Sequence, residues 1–405
     1  MTDEKDNVPD YVQRVLKTVA QKTNINDYKV KVNEGNKKGE GFLGQLMFIE
    51  ISDNESEKVV NVVVKKAFSD EKIRELAPIR ISFLNEVYFY EHILPTFQKL
   101  EEEYKIKVRF DRVPKCFMSC TEEAQELLVL ENLKSLGYDV FDKKKVFTRE
   151  HVNLIFKTYG HYHALSFALK KKYPEKFMEI SSNCEDVFNQ FSTRPHFKQS
   201  IQEAIGKIAE LFVPGKEDKY IESFKKYVEG GADIFLESVN YRGDNTVIFH
   251  GDCWSNNMMF KYDDGNALSD IKVIDWQLVR AGAPSHDLTY CLYSGATKEI
   301  FDHLDDLLNI YHQSLSAKLA EFGESSDELY PMEALKKDWQ HSAKFSMIFS
   351  FLICRMKLTV QEDIIDLTDD IDLTEDNRFF KTRVADSYNQ RMKDLVAHIY
   401  EIGAL

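Results

Sequence analysis

Residues 9–22 carry helical periodicity, with apolar positions recurring every three or four residues. Residues 42–50 and 58–68 read as strands, the second rich in valine (Val59, Val60, Val62, Val63, Val64), with the polar turn Ser52–Ser56 between them. Helical sequence follows from Glu71 to Ile93, with a break expected at Pro78. In its second part Phe83, Glu86, Val87, Tyr90, Ile93 and Leu94 share one face, and Pro95 is expected to end the helix. That stripe contains one carboxylate, Glu86. A further strand pair is expected near 105–117 and 126–130. From Thr148 onward the pattern is mainly helical, interrupted once. At 246–275 an apolar run, Thr246–Phe249, leads into His250-Gly251-Asp252, and the segments Met258–Tyr262 and Ile271–Ile274 flank the turn Asp263-Asp264-Gly265 as a hairpin. The second hairpin strand runs straight into Asp275. Helical sequence resumes over 297–405. Strands early and helices late predict two unequal lobes, residues 1–131 and 132–405, of α+β class.

Composition changes this picture little. The chain has 405 residues, 43% of them hydrophobic and 30% charged, which is ordinary globular material. A net charge of −14 gives no electrostatic attraction for nucleic acid or an anionic membrane. The N-terminus lacks the basic start and apolar run of a secretory signal, and no apolar stretch is long enough to span a bilayer. The six cysteines, at 116, 120, 184, 253, 291 and 354, form no CxxC pair and suggest neither zinc nor a disulfide framework. A cytoplasmic protein with reduced thiols is the expectation.

The chemistry concentrates in His250-Gly251-Asp252-Cys253-Trp254-Ser255-Asn256-Asn257. Here an aspartate precedes an asparagine by five residues, on a loop, just before a hairpin. Phosphoryl transfer needs a carboxylate to orient the attacking hydroxyl and take its proton, and oxygen ligands for Mg2+. Asp252, with His250 beside it in the motif, fits the first task, and Asn257 fits the second. Asp275 lies 18 residues beyond Asn257, and the hairpin folds it back toward the same ion. A glycine pattern, Gly39, Gly41 and Gly44, enters a strand rather than a helix, so it is no dinucleotide fingerprint but can lie over ATP phosphates. Lys65 ends the valine strand, and an ion pair with Glu86 would explain a carboxylate on an apolar face. Such a lysine would contact the α- and β-phosphates. Lys66 is the neighbouring candidate, and strand alternation alone leaves the choice open. Leu127–Leu133 marks the passage from strands to helices, where backbone groups near Glu131 can meet adenine.

Together these residues resemble the protein-kinase-like superfamily, and the HGDxxxxN form is similar to its small-molecule branch of aminoglycoside phosphotransferases and choline or ethanolamine kinases. His250–Phe260, Asp275-Trp276-Gln277, Ser285-His286-Asp287-Leu288, Leu128–Leu133, Phe83–Tyr90 and His163–Ser166 resemble most the ecdysteroid kinase-like family. The resemblance spans roughly residues 39–290. It implies a two-lobed protein-kinase-like fold, a small strand-rich N-terminal lobe and a larger, mostly helical C-terminal lobe, with ATP between them. It implies Asp252 as base, Asn257 and Asp275 as magnesium ligands, Lys65 in preference to Lys66, and Asp287 as the aspartate that steadies the catalytic loop. Two departures from protein kinases stand out. Trp254 occupies the place of a lysine that touches the γ-phosphate, and only nine residues separate Gln277 from Asp287, with no Ala-Pro-Glu after them. Both argue against a protein substrate and for a small-molecule hydroxyl acceptor.

Other features read as structure. His161 and His163 are two apart on a helix, so they do not share a face, and His163 is expected in the core. Cys253 reads as packing. The run 362–376, with eight carboxylates in fifteen residues, reads as an exposed loop or a helix with one buried stripe, the alternative being a lid near the acceptor. Three functions remain in play: a kinase for an apolar alcohol such as a steroid, a kinase for a cationic acceptor such as choline or an aminoglycoside, and a non-catalytic nucleotide-binding module. The sequence leaves the oligomeric state open.

Overall fold

The computed structural model describes residues 8–34, 43–142, 144–192, 195–363 and 382–405. The first helix, α1 (Asp10–Thr23), buries Val12, Val15, Leu16, Val19 and Ala20, one continuous stripe. Asn24 ends it in the left-handed conformation, which asparagine tolerates. Five strands follow: β1 (Tyr28–Glu34), β2 (Gly44–Asp53), β3 (Val59–Ala67), β4 (Cys116–Cys120) and β5 (Leu127–Glu131). They form an antiparallel sheet in the order β1-β2-β3-β5-β4. Strand β1 has no counterpart in the sequence reading, because its polar alternation of Lys29, Lys31 and Asn33 hides an edge strand with few apolar residues.

The stripe of α1 packs on one face of this sheet, against Val62 and Val64 of β3 and Leu127 and Val129 of β5. Residues of opposite parity on β3 therefore face the other side. There α2 (Glu71–Leu76) and α3 (Ile79–Tyr88) lie, separated at Ala77-Pro78 where the break was expected. The helix does not end at Pro95. It passes through a π-helical turn, Phe89–Ile93, into α4 (Leu94–Glu103), where Pro95 sits in the first turn. Pro95 has no N–H to offer, and it falls at the junction where the π-turn, with the Leu94 N–H bonded to the Phe89 carbonyl, gives way to α-helix. The expected strand over 105–117 is shorter than its apolar residues suggested: the chain is irregular until Cys116, where pairing with β5 begins.

Beyond β5 the molecule is mostly helical. A short strand β6 (Tyr138–Val140) precedes α5 (Arg149–Lys172), α6 (Pro174–Ser182), α7 (Val187–Ser192), α8 (Pro195–Ala209) and α9 (Asp218–Val239). The interruption follows as expected: β7 (Val247–Phe249), β8 (Met258–Tyr262) and β9 (Leu268–Val273), then β10 (Arg280–Gly282). Strands β8 and β9 pair as a hairpin, with β6 added to its edge, while β10 pairs with β7. Then come α10 (Ser285–Gly295), α11 (Lys298–Phe301), α12 (Leu304–Glu321), α13 (Ser326–Leu329), α14 (Met332–Leu358) and a C-terminal helix, Ser387–Glu401. All eleven residues of α10 are buried, because α5 and α14 enclose it. The result is a two-lobed α+β kinase-like fold, with a strand-rich N-terminal part and a helical remainder. No described helix is long and apolar enough to cross a membrane. The glycines Gly39 and Gly41, and the acidic run from 364 to 376, lie outside the described residues.

Candidate active site

The catalytic loop is built on Gly251. Its φ is +87°, and a β-carbon there would stand 2.2 Å from the Leu278 carbonyl oxygen, so only glycine lets β7 turn beneath the segment after Asp275. Asp287, at the start of α10, accepts hydrogen bonds from the backbone N–H groups of His250 and Gly251, both at 2.8 Å. Burial opposes its charge, yet hydrogen bonding from His163, 3.2 Å away, and neighbouring charge hold its pKa below the usual carboxylate range. His163 is fully buried and also meets the Tyr311 hydroxyl, whereas His161 turns instead toward Glu101. The two histidines thus serve different contacts.

His250 is buried, with its Nε2 3.0 Å from the Ile274 carbonyl oxygen and its Nδ1 3.2 Å from the Asp252 N–H. This pattern is met by a neutral ring protonated at Nε2, and burial lowers the histidine pKa accordingly. Asp252 follows at the cleft surface. Its Oδ2 accepts from Asn257 Nδ2 at 2.8 Å and its Oδ1 from the Tyr290 hydroxyl at 3.2 Å. Burial and then the charge of Asp275 push its carboxyl up to about 7, against the pull of those two hydrogen bonds. Cys253 is buried in the core with its Sγ 3.5 Å from His250 Nδ1.

The β8–β9 hairpin brings the next two residues together. The Ile274 N–H donates to the Asn257 carbonyl at 3.0 Å, so Asn257 and Asp275 emerge side by side. Asp275 holds φ +66° and ψ +68°, a left-handed conformation that aspartate tolerates better than most residues and that turns the chain out of β9. Behind it Trp276 stacks on Phe89, ring centroids 3.7 Å apart, and meets the His250 ring edge at 4.5 Å.

From the other lobe, Lys65 Nζ lies 2.7 Å from Glu86 and 2.8 Å from Asp275. Burial works against the lysine charge, but Asp275 and Glu86 outweigh it and raise its pKa above the ordinary value. Gln277, with its amide turned so that both ends are satisfied, donates to Asp275 at 3.2 Å and accepts from Lys65 at 3.0 Å. Lys66 points away, its ammonium 5.1 Å above the Tyr11 ring of α1. Gly44 opens β2 opposite Ala67, where a β-carbon would stand 2.4 Å from the Lys66 carbonyl oxygen. Close strand pairing thus requires glycine at that position. The Glu131 N–H donates to the Lys115 carbonyl at 2.8 Å, so that amide is already engaged.

Three contributors carried no sequence signal of their own. Asn85, buried on α3 beside Glu86, donates to the Glu185 and Gln277 carbonyl oxygens at 2.8 and 3.2 Å and accepts from the Glu185 N–H at 3.1 Å. It ties α3 to the segment after Asp275. Asn85→Ala strands these backbone groups, at a cost of about 1–2 kcal/mol. The expected result is a lower melting temperature in calorimetry. Arg280 is buried between the Phe188 and Phe249 rings, with Nη1 donating to the Leu278 carbonyl and Nε 3.7 Å from Asp186. Tyr290 had one indirect signal: it lies three residues after Asp287, on the same helix face.

The oxygen donors of Asp275 and Asn257 suit a hard divalent cation that keeps other ligands on phosphate and water. Among the described residues no group of three or more histidine, cysteine, aspartate or glutamate side chains could by itself hold a metal ion. Residues 38–324, well over half of the chain, match the ecdysteroid kinase-like family. The chain belongs to the ecdysteroid kinase-like family. This ecdysteroid kinase-like protein is therefore a small-molecule kinase, and membership implies ATP as phosphoryl donor. No curated protein matches it significantly. Among the solved structures similar to it is a glucosamine kinase, at 11% identity and a TM-score of 0.35, covering 85% of this chain and 84% of that one.

Proposed function

We propose that the protein transfers the γ-phosphoryl group of ATP to a hydroxyl of an apolar alcohol of the ecdysteroid type. In this reading residues 1–131 form the nucleotide lobe and 132–405 the catalytic and acceptor lobe. The glycine pattern Gly39, Gly41 and Gly44 is the phosphate-binding motif, and Lys65, held by Glu86, contacts the α- and β-phosphates. Adenine lies against the chain at Glu131. Asn257 and Asp275 would hold magnesium, which when bound would supply positive charge to offset the phosphate oxygens.

Asp252 accepts the proton of the acceptor hydroxyl as its oxygen attacks the γ-phosphorus, and ADP departs in line. His250 uses both ring nitrogens on the backbone, so its part is to hold the loop rather than to move a proton. With Trp254 in place of a lysine, Lys65 is the side chain that brings positive charge to the phosphates.

The observation that carries the acceptor class is the character of the surface beside Asp252. Trp254, half-buried, follows Asp252 in the loop, and half-buried Phe349 packs on Tyr290, whose hydroxyl reaches Asp252. Asp186 is matched by two arginines, Arg242 at 3.3 Å and Arg280 at 3.7 Å. These apolar and aromatic side chains near Asp252 support a neutral, apolar acceptor, with choline or an aminoglycoside as the competing class. Mass spectrometry of reactions with Mg-ATP and a panel of ecdysteroids, sterols, choline, ethanolamine and aminoglycosides tests this. A product heavier by one phosphoryl group is expected on an ecdysteroid or a similar alcohol. Turnover confined to the cationic acceptors would overturn the reading.

A further inference from the structure

Helix α10 grips the catalytic loop twice. Asp287 holds its backbone through the N–H groups of His250 and Gly251, and one turn later Tyr290 reaches the Asp252 side chain at 3.2 Å. The Tyr290 ring is buried and packed against Phe345 and Phe349 of α14, with centroids 6.0 and 5.2 Å away, so the phenol has little freedom to leave. The two oxygens of Asp252 therefore face two fixed donors on opposite sides, Asn257 on Oδ2 and Tyr290 on Oδ1. One donor alone leaves a carboxylate free to swing about its terminal torsion, which is broad for aspartate. Two donors set its plane, and with it the lone pair presented to an incoming hydroxyl.

The geometry points to Tyr290 as a positioning residue that fixes the carboxylate plane of Asp252 and so sets the line along which the acceptor hydroxyl is deprotonated. The inference rests on the proposed role of Asp252 as base. Tyr290 acts through Asp252, not on ATP. Its removal thus changes the chemical step and leaves nucleotide binding alone, as expected when a group is held within a fraction of an ångström of its productive position.

Tyr290→Phe keeps the ring and its packing and deletes only the donor. With an acceptor that the wild-type enzyme phosphorylates, the variant is expected to lose about 10-fold in kcat, the effect of one hydrogen bond to a charged group. The KM for ATP and the melting temperature should stay at wild-type values. Unchanged kcat would overturn the inference. So would a loss of kcat accompanied by a raised ATP KM or a lowered melting temperature, since either marks a general structural role. If the wild-type enzyme phosphorylates no acceptor, the proposed function fails separately, and crystal structures of wild type and Tyr290→Phe decide. A rotated Asp252 carboxylate in the variant supports the positioning role, and an unmoved one refutes it.

Discussion

Asp252→Asn is expected to lower turnover by at least about 10³-fold, in the range that a positioned general base contributes. ATP binding should be largely kept. The amide is isosteric and still offers an oxygen to a donor, so the loop held by Asp287 stays in place. What disappears is the capacity to take the acceptor proton as the new P–O bond forms. The side chain contacts Asn257 and Tyr290, and no described contact joins it to Lys65 or Glu86. The ion pairs of Lys65 with Glu86 and Asp275 are therefore untouched. Steady-state kinetics alongside calorimetric titration of Mg-ATP separates the two effects. Near wild-type turnover in this variant would remove Asp252 from the mechanism.

The second large effect is expected at Asp275. Asparagine is the informative replacement, because it also tolerates the left-handed backbone found there, whereas alanine adds strain of its own. Asp275→Asn removes one negative charge from a site where Lys65 bridges Asp275 and Glu86 at 2.8 and 2.7 Å. Affinity for ATP in the presence of magnesium is expected to fall about 10- to 100-fold, the loss of one contact between charged groups. In EDTA the affinity should change far less, since Lys65 keeps its pair with Glu86. Titration with and without magnesium gives the comparison. Equal losses in both conditions would show that Asp275 serves the protein fold and not the metal.

Much of the architecture was legible because its periodicities are strong. The valine run of β3, the stripe of α1 and the apolar face around Glu86 each announce a buried surface, and the structure forms all three elements. The elements that escaped were those without such a signal. Strand β1 is polar at alternate positions because only one face packs, and β6 and β10 are three residues long. Pro95 misled for a definite reason. A proline inside a helix removes one hydrogen bond, and here it falls where the π-turn at Phe89–Ile93 passes into α-helix, so the helix continues through it.

The sequence by itself determined the chemistry on offer: a glycine that permits the loop, an aspartate and an asparagine five apart, and a second aspartate returned by a hairpin. These are local relations, and local backbone geometry is enough to imply them. The residue pattern did not determine which lysine faces the cleft, although the family resemblance favours Lys65. Alternation places Lys65 and Lys66 on opposite sides of β3 but cannot say which side is which. That was decided when α1 covered the Val62 and Val64 face, sending Lys66 to Tyr11 and Lys65 to Glu86 and Asp275. The same holds for Asn85, Tyr290 and the Arg242–Asp186–Arg280 group. Their partners lie 38 to 192 residues away in the chain, and a contact at that separation exists only once the helices have packed.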